Sequence, residues 1–168
     1  ARWNFYVLFL MTSAGMNGVI VTGDLFNLFV FLEVAAVASY GLVAFGTEKH
    51  ALEAAFKYAV MGSVGSLCIL LGIAVLYAST STLNMADMAR VLAMSKPGAL
   101  TTFVTVLFLM GFGMKAAVVP FHAWLPDAHS SAPAPISAML SGVLIKALGV
   151  YALCRVIFNV LSASPRIL

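Results

Sequence analysis

A helix needs about 20 consecutive apolar residues to cross a hydrocarbon core of about 30 Å. This sequence offers five such runs, at residues 3–21, 25–45, 54–78, 99–120 and 136–160. Hydrophobic residues make up 62% of the 168 positions and charged residues 9%, with a mean hydropathy of +1.05. A water-soluble domain carries roughly a quarter of its residues charged, so lipid is the expected solvent. The fold class expected is an all-α integral membrane bundle of five transmembrane helices, a single unit over residues 1–168. The net charge of +3 comes from basic residues scattered along the chain, which form no nucleic-acid-binding patch.

The connections carry the punctuation. Thr22-Gly23-Asp24 turns the chain between the first two runs, and Asp24 is placed to cap the second helix. A polar hairpin at 46–53 precedes the third helix. Residues 83–94 space Leu83, Met85, Ala86, Met88 and Val91 at a near-helical period, with Asp87 and Arg90 opposite, the pattern of a short helix lying at the interface. Pro120 removes a backbone hydrogen bond and clashes with the preceding turn, so the fourth helix is expected to break near it. A short second half is expected at 121–128, ended by the loop 130–135. Five crossings put the termini on opposite sides, with Arg2, Lys49 and Lys57 on one and Arg90, Lys96, Arg155 and Arg166 on the other. Three against four gives no orientation. The chain opens at Ala1 rather than methionine, and a piece of a longer protein is expected.

Three charges fall where charge is expensive. Glu33 lies about 13 Å into the second helix at 1.5 Å per residue, Lys146 is at similar depth in the fifth, and Lys115 stands five residues before Pro120. Each costs about 2.5 to 3.5 kcal/mol at the centre of a lipid-facing helix. All three are therefore expected to be buried against partners or water. They either pin helices together as a scaffold or move protons. One carboxylate cannot neutralise two lysines, and desolvation disfavours a charged lysine, which favours proton transfer. Gly142, Lys146 and Gly149 share one face at a 3.6-residue period, leaving room beside the lysine. Gly62, Gly65 and Ser66 give the third helix a small-residue face for close packing.

Lys57, near the start of the third helix, is expected to reach the interface, and its place after Glu53 also suits a channel mouth. His122, Asp127 and His129 cluster in sequence. Their spacing matches no zinc signature; a proton relay and the capping of broken helix ends are both open. Cys68 and Cys154 sit inside apolar runs and read as small hydrophobes.

Thr22-Gly-Asp-Leu-Phe-Asn-Leu-Phe-Val-Phe-Leu-Glu33 and the run from Lys115-Ala-Ala-Val-Val-Pro-Phe-His-Ala-Trp-Leu-Pro-Asp-Ala-His129 through Ser-Gly-Val-Leu-Ile-Lys146 resemble the antiporter-like subunits. That family spans respiratory complex I, the Mrp cation/proton antiporters and the membrane-bound hydrogenases. The Gly-Asp-Leu-Phe-Asn and Asp-Ala-His-Ser-Ser-Ala-Pro segments look closest to the Mrp D-type branch and its hydrogenase relatives. The resemblance implies two five-helix repeats in inverted orientation, this chain matching the first. It implies Glu33 paired with Lys115 on the discontinuous helix, Lys146 on the central axis, and motif positions around the break for His122 and His129, which with Lys57 are the candidate relay residues. It also implies a cytoplasmic hairpin at 46–53, partner membrane subunits, and a prokaryotic cytoplasmic membrane. The ions handled would be protons and, in an exchanger, sodium. The chain would be a translocation subunit without cofactor, metal or catalytic centre of its own.

Overall fold

Lipid offers no hydrogen-bond partners, so a chain crossing it must satisfy its backbone internally, and helices do so segment by segment. The computed structural model describes residues 2–94 and 98–161. Lys96 and Arg166, counted above in the charge comparison, lie outside the described residues. Described residues form α1 (Arg2–Val21), α2 (Leu25–Val43), α3 (Lys49–Thr80), α4 (Met85–Met94), α5 (Ala99–Lys115), α6 (Trp124–Ser131) and α7 (Ala134–Val160). The apolar runs containing α1, α2, α3 and α7 are each long enough to cross a membrane, and α5 is a shorter apolar helix of 17 residues. The protein is an integral membrane protein.

Helix α1 packs along α2, α3 lies between α2 and α5, and α7 closes the bundle against α5 and α1. Leu28, Leu32, Ile69, Phe108, Phe112, Leu140 and Val156 fill the core between them. Close approach is set by glycine. A Cβ on Gly111 would sit 2.6 Å from Ile69 Cγ1 and 2.7 Å from the Gly65 carbonyl, so α3 and α5 meet backbone to backbone there.

The connections refine the sequence reading. Asp24 caps α2 as expected, accepting from the Asn27 N–H at 2.8 Å. Leu25 and Met85 donate backbone bonds to Leu83 and Gly23, tying the start of α4 to the start of α2. Helix α4 buries Met85 and Met88 and exposes the Asp87–Arg90 pair, as its period requires. Helix α3 begins earlier than expected, at Lys49, because Thr47 in the left-handed region ends the preceding turn abruptly. The hairpin is correspondingly shorter.

Helix α5 ends at Lys115, five residues ahead of Pro120. The Ala117 N–H bonds to Met114 O and the Val118 N–H to Gly113 O, with Ala117 left-handed at φ 52°. This pair of bonds is the Schellman closure, usually completed by glycine. Turns fill 116–123 before α6 begins.

Candidate functional site

The end of α5 is where the charges gather. Lys115 is the last residue of the helix, where the exposed carbonyl dipoles favour a cation. Its ammonium donates to Glu33 Oε1 at 3.2 Å, and its side chain is 3% exposed. The Tyr40 hydroxyl stands 3.5 Å from the same nitrogen. From α3, Ser66 Oγ donates to Glu33 Oε1 while also contacting the Gly62 carbonyl. Three helices thus converge on one carboxylate oxygen and one ammonium.

Each geometry has a local cause. Glu33 and Tyr40 are seven residues apart on α2, two turns, and so share one face. Gly62 makes room for Tyr40, since a Cβ there would overlap its hydroxyl. Gly149 of α7 packs on Ala116, where a Cβ would come within 2.5 Å of the backbone, and so α7 supports the turn that follows Lys115.

The burial of the three charges differs from expectation. Lys115 is buried, but Glu33 is half-buried, its outer side bordering a cavity of about 320 Å³ with Leu8, Met11 and Val37. Lys146 is exposed on the outside of the bundle, and its ammonium folds back onto the Ser141 carbonyl. The cause lies in the winding of α7. Residues 140–151 form i→i+5 turns rather than i→i+4 turns. A face shared by Gly142, Lys146 and Gly149 requires 3.6 residues per turn. In the wider coil Gly149 turns inward onto Ala116, while Gly142 has nothing within 4 Å of its Cβ position.

His122, Asp127 and His129 do not converge. His122 is exposed, Asp127 pairs with Lys57 at 2.8 Å, and His129 Nδ1 lies 2.8 Å from Ser137 Oγ. His129 is also within the electrostatic reach of Lys146. Lys57, half-exposed, bridges Asp127 and Glu53, the latter at 2.9 Å, beside a polar cavity of about 160 Å³.

Residues 22–168 match the model of the family described as NADH:quinone oxidoreductase/Mrp antiporter, TM. The chain belongs to this family. It is 42% identical over 161 residues to NADH-quinone oxidoreductase subunit N of Desulforudis audaxviator, covering 96% of this chain and 32% of that protein. It is 41% identical over 162 residues to a Na(+)/H(+) antiporter subunit of Alkalihalophilus pseudofirmus, covering 94% and 32%. Its fold superimposes with a TM-score of 0.84, at 38% identity, on a chain of the membrane-bound sulfane sulfur reductase, an archaeal respiratory membrane complex. That likeness covers 94% of this chain and 32% of the other. The chain thus spans about a third of the length of these relatives.

In this member of the antiporter family the tertiary structure adds Ser66, Tyr40, Tyr58 and Trp124 to the site. Ser66 reads from the sequence only as a small packing residue. Its spacing four residues after Gly62 is the visible signal, but the hydrogen bond to Glu33 depends on how α2 and α3 cross. Tyr58 bonds Ser39 at 3.0 Å, packs edge-on against Tyr40 and stacks on Trp124 with ring centres 4.1 Å apart. Nothing in the local sequence signals that alignment.

Proposed function

We propose that this chain is part of a proton-translocating subunit of a multisubunit membrane assembly of the Mrp, hydrogenase or complex I type. The observation that carries the reading is the Glu33–Lys115 pair, a lysine enclosed at a helix end with one carboxylate at 3.2 Å. An ammonium so enclosed is held charged chiefly by that carboxylate, so moving Glu33 away favours release of its proton. Lys146 is the acceptor, with His129 within its electrostatic reach and His122 at the mouth of the interrupted segment. The bilayer is crossed five times, the fourth crossing being α5, the turns at 116–123 and α6.

The outward-facing Lys146 supports a larger assembly. A lysine left against lipid at this depth costs about 2.5 to 3.5 kcal/mol, so this face meets protein or water. The remaining length of the relatives, in the form of a second and inverted five-helix repeat, and neighbouring subunits supply that cover. The setting is a prokaryotic cytoplasmic membrane, the ions are protons and, in an exchanger, sodium, and the driving force is a partner's redox chemistry or an opposing cation gradient.

The competing reading is a scaffold whose charges only lock helices. Glu33→Gln, Lys115→Ala and Lys146→Ala in the intact subunit separate the two. Proton transport is expected to fall to background in each while the complex still assembles on a native gel. Transport at the normal rate in assembled complexes would sink the proton-path reading, and loss of assembly in all three would favour the scaffold.

A further inference from the structure

Between the Lys57 vestibule and the Glu33–Lys115 pair stands a wall of aromatic rings. The vestibule is lined by His50, Glu53, Lys57, Asp127, Ser130 and Ser131. Ser66, which touches Glu33, lies nine residues beyond Lys57 on α3, or about 13 Å along the helix. Trp124 and Tyr58, 2% and 3% exposed, fill the space between, stacked with only 6° between their planes. Tyr40 packs edge-on against Tyr58 and its hydroxyl reaches Lys115.

Among the described residues, no continuous chain of side-chain hydrogen bonds crosses this wall from Lys57 to Lys115. Tyr40 faces Lys115 with a hydroxyl that both donates and accepts, and Tyr58 spends its hydroxyl on Ser39. Trp124 has a single N–H and no acceptor, so it cannot pass a proton on. That N–H is committed to the Met114 carbonyl at 3.1 Å, the residue before Lys115.

The surroundings allow the indole to move. An apolar cavity of about 240 Å³, lined by Phe56, Val60, Met61 and Ala123, lies directly beside the ring. Helix α6 is held to α3 at two points, Asp127 to Lys57 and Trp124 to Tyr58, pairs drawn from adjacent residues on α3 and from one face of α6. Glu53 contacts the same Lys57 ammonium at 2.9 Å. Lys57 can therefore leave Asp127 and keep a carboxylate partner, which makes release of the first point inexpensive. His50, the remaining titratable side chain at this mouth, pairs with Glu48 at 3.4 Å.

We infer that Trp124 gates the connection between the vestibule and Lys115, that the Lys57–Asp127 pair latches it shut, and that Glu53 holds Lys57 when the latch is open. Lys57, Asp127 and Trp124 act as positioning residues, and the inference rests on the proton-path reading of Glu33 and Lys115.

The test uses the intact subunit in everted membrane vesicles, with a fluorescent probe following the decay of an imposed pH gradient. Trp124→Ala is expected to raise passive proton leak about tenfold, as when a hydrophobic constriction opens. Trp124→Phe keeps the wall and the normal leak, and Lys115→Ala added to Trp124→Ala returns the leak to background. In a second arm Lys57→Cys and Asp127→Cys, with Cys68 and Cys154 changed to serine, are bridged by a short bis-methanethiosulfonate. Transport is expected to stop on bridging and return with reductant. Normal leak in assembled Trp124→Ala, or undiminished transport in the bridged protein, overturns the gate; if Trp124→Ala fails to assemble, the bridged pair decides. Failure of the proton path itself reads differently, as transport that survives Glu33→Gln and Lys115→Ala with Trp124 intact.

Discussion

Ser66→Ala tests how tightly the charge pair is governed by its neighbours. The Ser66 hydroxyl donates to Glu33 Oε1, the same oxygen that accepts from Lys115. Ser66 is 5% exposed, so water does not readily take the hydroxyl's place. A hydrogen bond to a charged group contributes about 1.5 to 3 kcal/mol. At about 1.4 kcal/mol per factor of ten, losing it lowers the population of the oriented Glu33–Lys115 pair about 10- to 100-fold relative to competing arrangements. The methyl group that remains still fits between α2 and α3, and the backbone of α3 keeps its own bonds, so folding should be little affected. Turnover is expected to fall about tenfold, the lower end of that range, measured as the rate of pH-gradient formation in vesicles with assembly checked in parallel. Normal turnover in assembled Ser66→Ala complexes would refute the reasoning.

Two glycine substitutions probe the geometry that supports the pair. Gly62→Ala drives a Cβ into the Tyr40 hydroxyl, so the ring swings off Lys115; transport should drop several-fold while stability falls by about 1 kcal/mol, because a side-chain tip yields. Gly111→Ala meets backbone instead, 2.7 Å from the Gly65 carbonyl, and should lower the unfolding temperature in detergent more than Gly62→Ala does, with α5 displaced and Lys115 drawn from Glu33. If Gly111→Ala melts with the unchanged protein, the backbone contact between α3 and α5 is not as close as the structure has it.

Much of the molecule follows from short-range pattern. Apolar run length locates the four helices long enough to span, since only a helix satisfies its backbone in lipid, and Asp24 and the methionines of α4 behave as local capping and amphipathic rules require. The cost of charge in lipid singles out Glu33 and Lys115 without any structure, and their meeting across 82 positions is the outcome that cost demands. Other features are not local. Pro120 is the visible breaker after α5, yet a Schellman closure at Ala117 stops the helix first, because its two hydrogen bonds can form with alanine in a conformation that sequence associates with glycine.

Lys146 shows the same limit in another form. From the sequence it is a central charge on a glycine-flanked face, but the wide turns of α7 rotate it outward and press Gly149 onto Ala116. Whether a helix winds with i→i+4 or i→i+5 bonds is settled by what packs against it, a sum of contacts from distant residues. Composition and periodicity therefore determined that this chain lives in a membrane and that Glu33 and Lys115 fall where an unpaired charge is expensive. Only the tertiary structure decided that Ser66 and Tyr40 contact the pair, that Lys57 reaches Asp127, and that Trp124 stacks on Tyr58, because each depends on how helices far apart in sequence are crossed and turned.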